Sequence, residues 1–135
     1  MTDDAFCRAL VERITSAAPM LLDFRRDLHA HPELSREEVR TTRVITEHLT
    51  AAGIPVRPLA GTGVLADVGP EQAAYRVALR ADIDALPVRE RTGLPFASNT
   101  SGVCHACGHD VHTAALLGAM LALKAEEETL RERGV

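Results

Sequence analysis

The stretch Cys107-Gly108-His109-Asp110-Val111-His112 places a thiol, two imidazoles and a carboxylate within six positions. A second acidic cluster, Asp82-Ile83-Asp84, stands upstream at the end of an apolar run. Thiolate, imidazole and carboxylate are the ligands of a borderline-soft transition metal, above all zinc. Each cluster stands where a strand or a helix should begin or end. Together they predict a hydrolytic metal site in a chain that mixes helices and strands.

The spacing of these residues indicates which of them would bind the metal. Cys107 and His109 can converge on one ion only if the backbone between them is non-helical, which Gly108 permits. A helix beginning just after them would direct free N–H groups at the site and favour a thiolate. Asp82 and Asp84 alternate at the carboxyl end of a predicted strand, where open α/β sheets bind their ligands. One carboxylate could bind or bridge metal while the other orients an imidazole or a general base.

Two other hypotheses stay open for the same cluster. A closed, non-catalytic zinc site would take four local ligands, namely Cys104, Cys107, His109 and His112. Cys104 and Cys107 also form a Cys-x-x-Cys pair, although no βαβ pattern precedes it to favour a thioredoxin-like redox function. His29 and His31 stand at a predicted helix end, where we assign them no ligand role.

Composition excludes several classes of partner. The 135 residues carry a net charge of -4 with scattered basic residues, 3% aromatics and no Trp. We therefore expect no nucleic-acid partner. The longest apolar stretch is too short to span a bilayer, and the acidic N-terminus lacks the order of a signal peptide, so we expect no membrane partner. Three Cys, an odd number, do not indicate a disulfide framework, which predicts a cytoplasmic protein.

Apolar periodicity predicts two helical segments in the first half of the chain. Residues 4–30 form the first, which Pro19 divides or kinks and His31-Pro32 ends. Ser35-Arg36-Glu37-Glu38 has the pattern of a capping box, and the helix that follows should run to Ala52. Gly53 is then the residue just beyond the helix.

The second half predicts strands, a loop and a last helix. Short strands are expected over 54–59 and 64–68, and a buried central strand over Tyr75–Ala81 that ends at Asp82. Residues 85–103 form a long loop, a feature that is usually functional. Asp110 should cap a helix over about 111–127, whose inward residues are Ala115, Leu116, Ala119 and Leu123. This element order predicts an α/β sandwich.

Four stretches together resemble one known family. They are Arg25-Arg26-Asp27-Leu28-His29-Ala30-His31-Pro32-Glu33-Leu34, Leu79-Arg80-Ala81-Asp82-Ile83-Asp84-Ala85-Leu86-Pro87, Thr92-Gly93-Leu94-Pro95-Phe96 and His105-Ala106-Cys107-Gly108-His109-Asp110-Val111-His112. In this order they look like the N-terminal part of the metal-dependent amidohydrolases that include hippurate hydrolase, N-acyl-amino-acid deacylases and auxin-conjugate hydrolases. This family belongs to the aminoacylase and carboxypeptidase-like metallopeptidases.

The resemblance implies a function and a set of roles. It implies that two metal ions, zinc or manganese, activate a water that attacks the amide bond of a small N-acyl amino acid. Cys107 and His109 match two metal ligands. The Asp82–Asp84 motif matches the catalytic acidic position, where we favour Asp82 and keep Asp84 as an alternative. Asp110 and His112 are candidates for residues that support the ligands.

The departures from the family concern the end of the chain. In the family, a general-base Glu, a neighbouring Glu ligand and two further His ligands follow the position of Val135. We therefore expect residues 1–135 to be the N-terminal segment of a zinc-peptidase-like α/β sandwich catalytic domain, incomplete and inactive alone. The inserted dimerisation domain and the C-terminal catalytic part would be absent, and the full-length protein could form a homodimer. Position 104 is usually Met in this motif and is Cys here.

Overall fold

A long N-terminal helix and a helix from the last third of the chain form the centre of the structure. The computed structural model describes all residues, 1–135. Helix α1 spans Asp3–Ala30 and packs mainly against α3, which spans His109–Ala125. The two approach closely where Gly118 faces Leu21, since a Cβ at position 118 would lie 2.8 Å from the Leu21 Cδ1 atom.

The remaining elements surround this helix pair. Helix α2 is Val39–Ala51, strands β1 and β2 are Val56–Pro58 and Val64–Ala66, and helix α4 is Glu127–Arg133. The strands pair antiparallel with Val56 opposite Ala66, which confirms the first two predicted strands in shorter form. The core between the helices consists of Leu21, Phe24, Leu28, Ile45, Leu49, Ile54, Ala114 and Leu117. No helix in the chain combines the length and the apolar character that crossing a membrane requires.

Helix α1 is continuous, so the prediction that Pro19 could divide it is wrong. Proline lacks the N–H that would bond the Thr15 carbonyl, but only one hydrogen bond is lost there. Leu21, Phe24 and Leu28 are buried in the core beyond Pro19, and this packing favours continuing the helix. The helix ends at Ala30 with His31 as its C-cap, as predicted.

The predicted capping box at Ser35 is wrong, because the cap of α2 comes from Glu33. Its Oε1 accepts from the Arg40 N–H at 2.9 Å, and its Oε2 accepts from the Thr41 N–H at 2.7 Å. The backbone at Arg36 has a φ of 71°, which is incompatible with a right-handed helix at that residue. The helix therefore begins only at Val39, and a carboxylate from outside the helix satisfies its first N–H groups.

Gly53 ends α2 as predicted. Its φ of 70° is the left-handed conformation that follows many helices. The Ile54 N–H reaches back to the Leu49 carbonyl at 3.0 Å, and the Gly53 N–H to the Thr50 carbonyl at 2.9 Å. This hydrogen-bond pair is the Schellman motif, and it directs the chain into β1.

The predicted central strand over Tyr75–Ala81 is not formed. The segment has no ladder hydrogen bonds, and its side chains are exposed, 70% for Tyr75 and 73% for Val77. A strand needs a hydrogen-bonded neighbour, and here only the N–H groups of Ala74 and Tyr75 find one, the Gly134 carbonyl. Apolar composition alone therefore gave the wrong prediction for this stretch.

Residues 85–103 form the predicted loop. Two isolated bridges fix its ends: Leu34 pairs with Ala85, and Leu86 pairs with Cys104. The Leu86–Cys104 bridge includes hydrogen bonds of 3.0 and 3.1 Å in both directions. The loop therefore returns next to its starting point and brings the Cys107 region close to Asp84.

Two predictions about α3 are wrong. The helix begins at His109 with Gly108 as its N-cap, so Asp110 lies inside its first turn instead of capping it. Its buried face consists of Asp110, Thr113, Ala114, Leu117, Gly118 and Ala122, and not of the predicted set Ala115, Leu116, Ala119 and Leu123. Compared with the predicted orientation, α3 is rotated about its axis, because the buried Asp110 carboxylate must face Arg25 and His29 on α1.

We predict that Glu33→Ala lowers the free energy of unfolding by about 1 kcal/mol, because two N–H groups of α2 lose their acceptor. Ser35→Ala is the matched control and should change it by less than about 0.5 kcal/mol, as a surface substitution does. Urea unfolding followed by circular dichroism measures both. A larger loss for Ser35→Ala than for Glu33→Ala would contradict the assignment of the cap.

Candidate metal centre

The start of α3 places the predicted metal ligands. Gly108 has a φ of 83°, a conformation that costs glycine little, and its N–H donates to the His105 carbonyl at 3.1 Å. This turn leaves Cys107 just before the helix and His109 as its first residue. The N-terminus of the helix, the positive end of its dipole, therefore lies beside both side chains. That thiol is exposed.

His109 is oriented by Asp84. Its Nδ1 lies 2.9 Å from Asp84 Oδ1 and 2.9 Å from the Asp84 backbone oxygen. A backbone carbonyl can only accept a hydrogen bond, so Nδ1 carries the proton. The other ring nitrogen, Nε2, is then the unprotonated one in the neutral ring. This arrangement, a carboxylate that holds the far side of an imidazole, is typical of metal-ligating histidines.

Asp82 has a different environment. Its Oδ1 accepts from Arg80 Nε at 2.9 Å and from Arg80 Nη2 at 2.7 Å, and its side chain is 47% exposed. Its backbone oxygen accepts a hydrogen bond from the Thr113 hydroxyl at 3.2 Å. Residue 82 is therefore attached to α3 through its main chain, whereas Asp84 reaches the candidate ligand His109 with its carboxylate.

The closed zinc site of Cys104, Cys107, His109 and His112 is not formed. No group of three or more His, Cys, Asp and Glu side chains lies in a position to hold a metal ion. The bridge to Leu86 holds Cys104 with its thiol buried, while Cys107 is exposed. His112 is exposed on α3, with its ring centre 5.9 Å from that of His109. The donor set present thus fits part of a metal site, the two positions of Cys107 and His109.

A buried ionic network lies next to these residues, and sequence reasoning missed most of it. The Asp110 side chain is 1% exposed, and its Oδ2 lies 2.7 Å from Arg25 Nε and 2.8 Å from His29 Nδ1. On the other side of the ring, His29 Nε2 lies 3.1 Å from Glu90 Oε1. Arg25 and His29 are four residues apart and so share one face of α1. That spacing, within the first stretch carrying the family resemblance, is the signal that could have identified them.

Glu90 is held as a carboxylate by its hydrogen bonds. The Thr92 hydroxyl, the Ser98 N–H at 2.6 Å and His29 all bond to it. The Thr92 bond is the largest cause, followed by the Ser98 bond, and together they lower the pKa of Glu90 to about 2. The 85–103 loop is therefore anchored to α1 through an ionised side chain.

His105 is buried between the loop and the helix start. Burial lowers the pKa of its ring, and the negative charge of Asp110 opposes that effect only in part. Both ring nitrogens are buried without a hydrogen-bond partner, as is Oδ1 of Asp110. Three of the six buried polar atoms without a hydrogen-bond partner therefore belong to residues 105 and 110, which flank Cys107 and His109 in the sequence. Such atoms are uncommon in folded proteins, and a catalytic role is one explanation for them.

Two relatives are similar to this chain over most of its length. The chain is 51% identical over 119 residues to the N-acetyl-L-cysteine deacetylase of Bacillus subtilis, covering 87% of this chain and 29% of that protein. A Rhodococcus jostii protein whose name is that of a glutamate–cysteine ligase is 60% identical over 104 residues, which are 76% of this chain and 13% of that protein.

A solved structure extends the comparison to the fold. The Bacillus subtilis YXEP protein, described as a dinuclear metal-binding peptidase of the M20 family, superimposes with a TM-score of 0.79 and 43% sequence identity. The match covers 84% of this chain and 32% of that chain. It confirms the predicted fold class, an α/β domain like that of M20 peptidases. The chain thus spans less than a third of the length of each of these relatives.

A sequence model of one family matches the part of the chain that holds the candidate site. The match runs over residues 78–134, which include Asp82, Asp84, Cys107 and His109. Together with the relatives and the solved structure, it confirms the predicted resemblance to metal-dependent amidohydrolases. Residues 78–134 of this chain match the model of peptidase family M20/M25/M40.

Proposed function

We propose that the chain supplies part of the active site of a metal-dependent amidohydrolase that cleaves the amide bond of N-acyl amino acids. The observation that carries the proposal is the contact of His109 Nδ1 with Asp84, which leaves Nε2 as the metal-binding nitrogen. The exposed Cys107 thiol, two residues away, supplies a second donor. A substrate of the N-acetyl amino acid class follows from the relative named N-acetyl-L-cysteine deacetylase.

The metal would be a divalent ion, zinc or manganese, and a complete site would hold two. Cys107 and His109 would hold it from this chain. When bound, such an ion polarises an amide carbonyl and lowers the pKa of a bound water from 15.7 towards about 7. The first turn of α3 adds the field of its N-terminus, which stabilises a thiolate ligand.

The acidic pair has two separate roles in this proposal. Asp84 holds the His109 ring in the orientation and tautomer that metal binding needs. Asp82 keeps the role of catalytic acid that the sequence favoured. Its carboxylate is accessible and pairs with Arg80. Asp110 supports the helix start from the buried side, and His112 stands on its exposed side.

The domain assignment is part of the same proposal. Residues 1–135 would be the N-terminal segment of the catalytic domain, and the inserted dimerisation domain and the C-terminal catalytic part would lie outside these residues. A general base and further ligands would come from there, and the full-length protein would be a cytoplasmic homodimer. The ligase name of the Rhodococcus jostii relative supports no second function, since the match involves 13% of that protein.

We predict that the 135-residue chain alone does not hydrolyse N-acetyl or N-benzoyl amino acids, because only two metal ligands are present. The protein encoded by the whole reading frame should hydrolyse a member of such a panel, and a chelator should stop the reaction. Amino acid release measured with and without added Zn²⁺ or Mn²⁺ tests both. No hydrolysis of any panel member by the complete protein would refute the proposed substrate class.

Cys107→Ala should abolish turnover in the complete protein, because a metal site with few protein ligands loses one of them. Its free energy of unfolding should change by less than about 0.5 kcal/mol, since the side chain is exposed. Cys104→Ala is the matched control: it should keep bound metal and most activity, although its buried thiol contributes more to packing. Metal content and hydrolysis rate are measured for both variants. Metal retained by Cys107→Ala but lost by Cys104→Ala would reverse the ligand assignment.

Asp84→Ala should weaken metal binding by about 10–100-fold, as the loss of a partner of a ligating histidine does. Asp84→Asn keeps an oxygen acceptor for His109 Nδ1 and should recover part of this affinity. Asp82→Ala, which removes a pair with Arg80 and no contact with a candidate metal ligand, should leave metal affinity within about 3-fold of the parent, a surface-scale change. Calorimetric titration with Zn²⁺ compares the three. Weaker binding by Asp82→Ala than by Asp84→Ala would exchange the two roles.

A further inference from the structure

We propose that His29 is a positioning residue for the metal centre: by holding Asp110 it fixes the first turn of α3, and with it His109, against Asp84. The inference rests on the proposed function and deepens it. Arg25, His29 and Glu90, the members of this network outside the metal-site motif, make no contact with the candidate ligands themselves. Their effect would pass through Asp110, the residue that follows His109.

Several contacts hold the ring of His29. Nδ1 lies 2.8 Å from Asp110 Oδ2 and 3.3 Å from Arg25 Nη2, and Nε2 lies 3.1 Å from Glu90 Oε1. The Phe96 ring packs edge-on against it, with centroids 5.5 Å apart and an interplanar angle of 80°. The ring that contacts Asp110 thus has little freedom to rotate or translate.

Glu90 is fixed in turn from the loop side. The Ser98 N–H donates to its Oε2 at 2.6 Å, and the Thr92 hydroxyl bonds to its Oε1. His29 therefore joins the 85–103 loop to the start of α3 through a carboxylate on each nitrogen. Arg25 supplies positive charge at Asp110, with its Nε 2.7 Å from Asp110 Oδ2.

The burial of this network indicates that it positions the first turn of α3 more than it stabilises the fold. Asp110 is 1% exposed, and a carboxylate buried to this extent must be paired with charged or hydrogen-bonding groups, which here lie on α1. Buried ion pairs are weak evidence for stability, because apolar residues of similar volume stabilise a fold as well or better. What the pair does determine is where the first turn of α3 can lie. His109 immediately precedes Asp110 in that turn and meets Asp84 at 2.9 Å, so a shift of the turn would separate the ligand from its orienting carboxylate.

The test uses the complete protein and Co²⁺ alone as the probe, because Co²⁺ reports thiolate and imidazole ligation through its absorption bands. His29→Leu should bind Co²⁺ about 10–100-fold more weakly per folded molecule, with altered ligand-field bands. His29→Gln keeps a hydrogen-bond donor and should recover part of the Co²⁺ affinity and part of the parent's ligand-field spectrum. His31→Gln is the matched control: it lies near the same helix end with an exposed side chain and should match the parent.

Each outcome decides the inference. A folded His29→Leu protein with the affinity and spectrum of the parent overturns it, because the network would then only stabilise the fold. If circular dichroism shows that His29→Leu does not fold, Glu90→Gln decides, since it keeps His29 but removes the charge that holds its ring from the loop side. A shifted Co²⁺ spectrum for Glu90→Gln supports the inference, and an unchanged one overturns it. A parent protein without a thiolate-to-Co²⁺ band would instead refute the proposed function.

Discussion

The buried carboxylate of Asp110 is the constraint on which the rest of the structure depends. A charge that is 1% exposed must be paired within the protein, and the partners, Arg25 and His29, lie on a helix that begins more than a hundred residues earlier. Their pairing sets the rotation of α3 about its axis. That rotation turns Ala114 and Leu117 into the core with Leu21. Ionic pairing and apolar packing therefore agree on one arrangement of α1 and α3.

The candidate metal centre lies at the edge of this arrangement, where it remains accessible. The turn that buries Asp110 leaves Cys107 exposed and brings His109 to Asp84. A site of this kind needs a rigid support, because ligand geometry tolerates only small displacements. Here the support consists of α1 behind the helix start and the 85–103 loop beside it, which Glu90 connects through His29.

Several features of the fold follow from local sequence signals. Apolar periodicity located α1 and α2, and Gly53 located the end of α2. These signals act over a few residues, because helix spacing and left-handed backbone conformations are local properties. The Tyr75–Ala81 segment shows the limit of such reasoning. Its apolar side chains have the composition of a strand, but a strand also requires a neighbouring strand to bond to, and composition does not supply one.

The sequence by itself determined the chemistry available to this protein: a thiol, imidazoles and carboxylates at fixed spacing around a glycine that can turn the chain. Only the tertiary structure decided how they are used. It made Asp110 a buried partner of His29, 81 residues away, where the sequence predicted a helix cap. In the folded chain, Glu33 and not Ser35 caps α2, and Asp84 is the carboxylate that contacts His109. The physical reason is that a carboxylate binds whichever donor the fold brings within about 3 Å, and that donor is set by packing between distant elements.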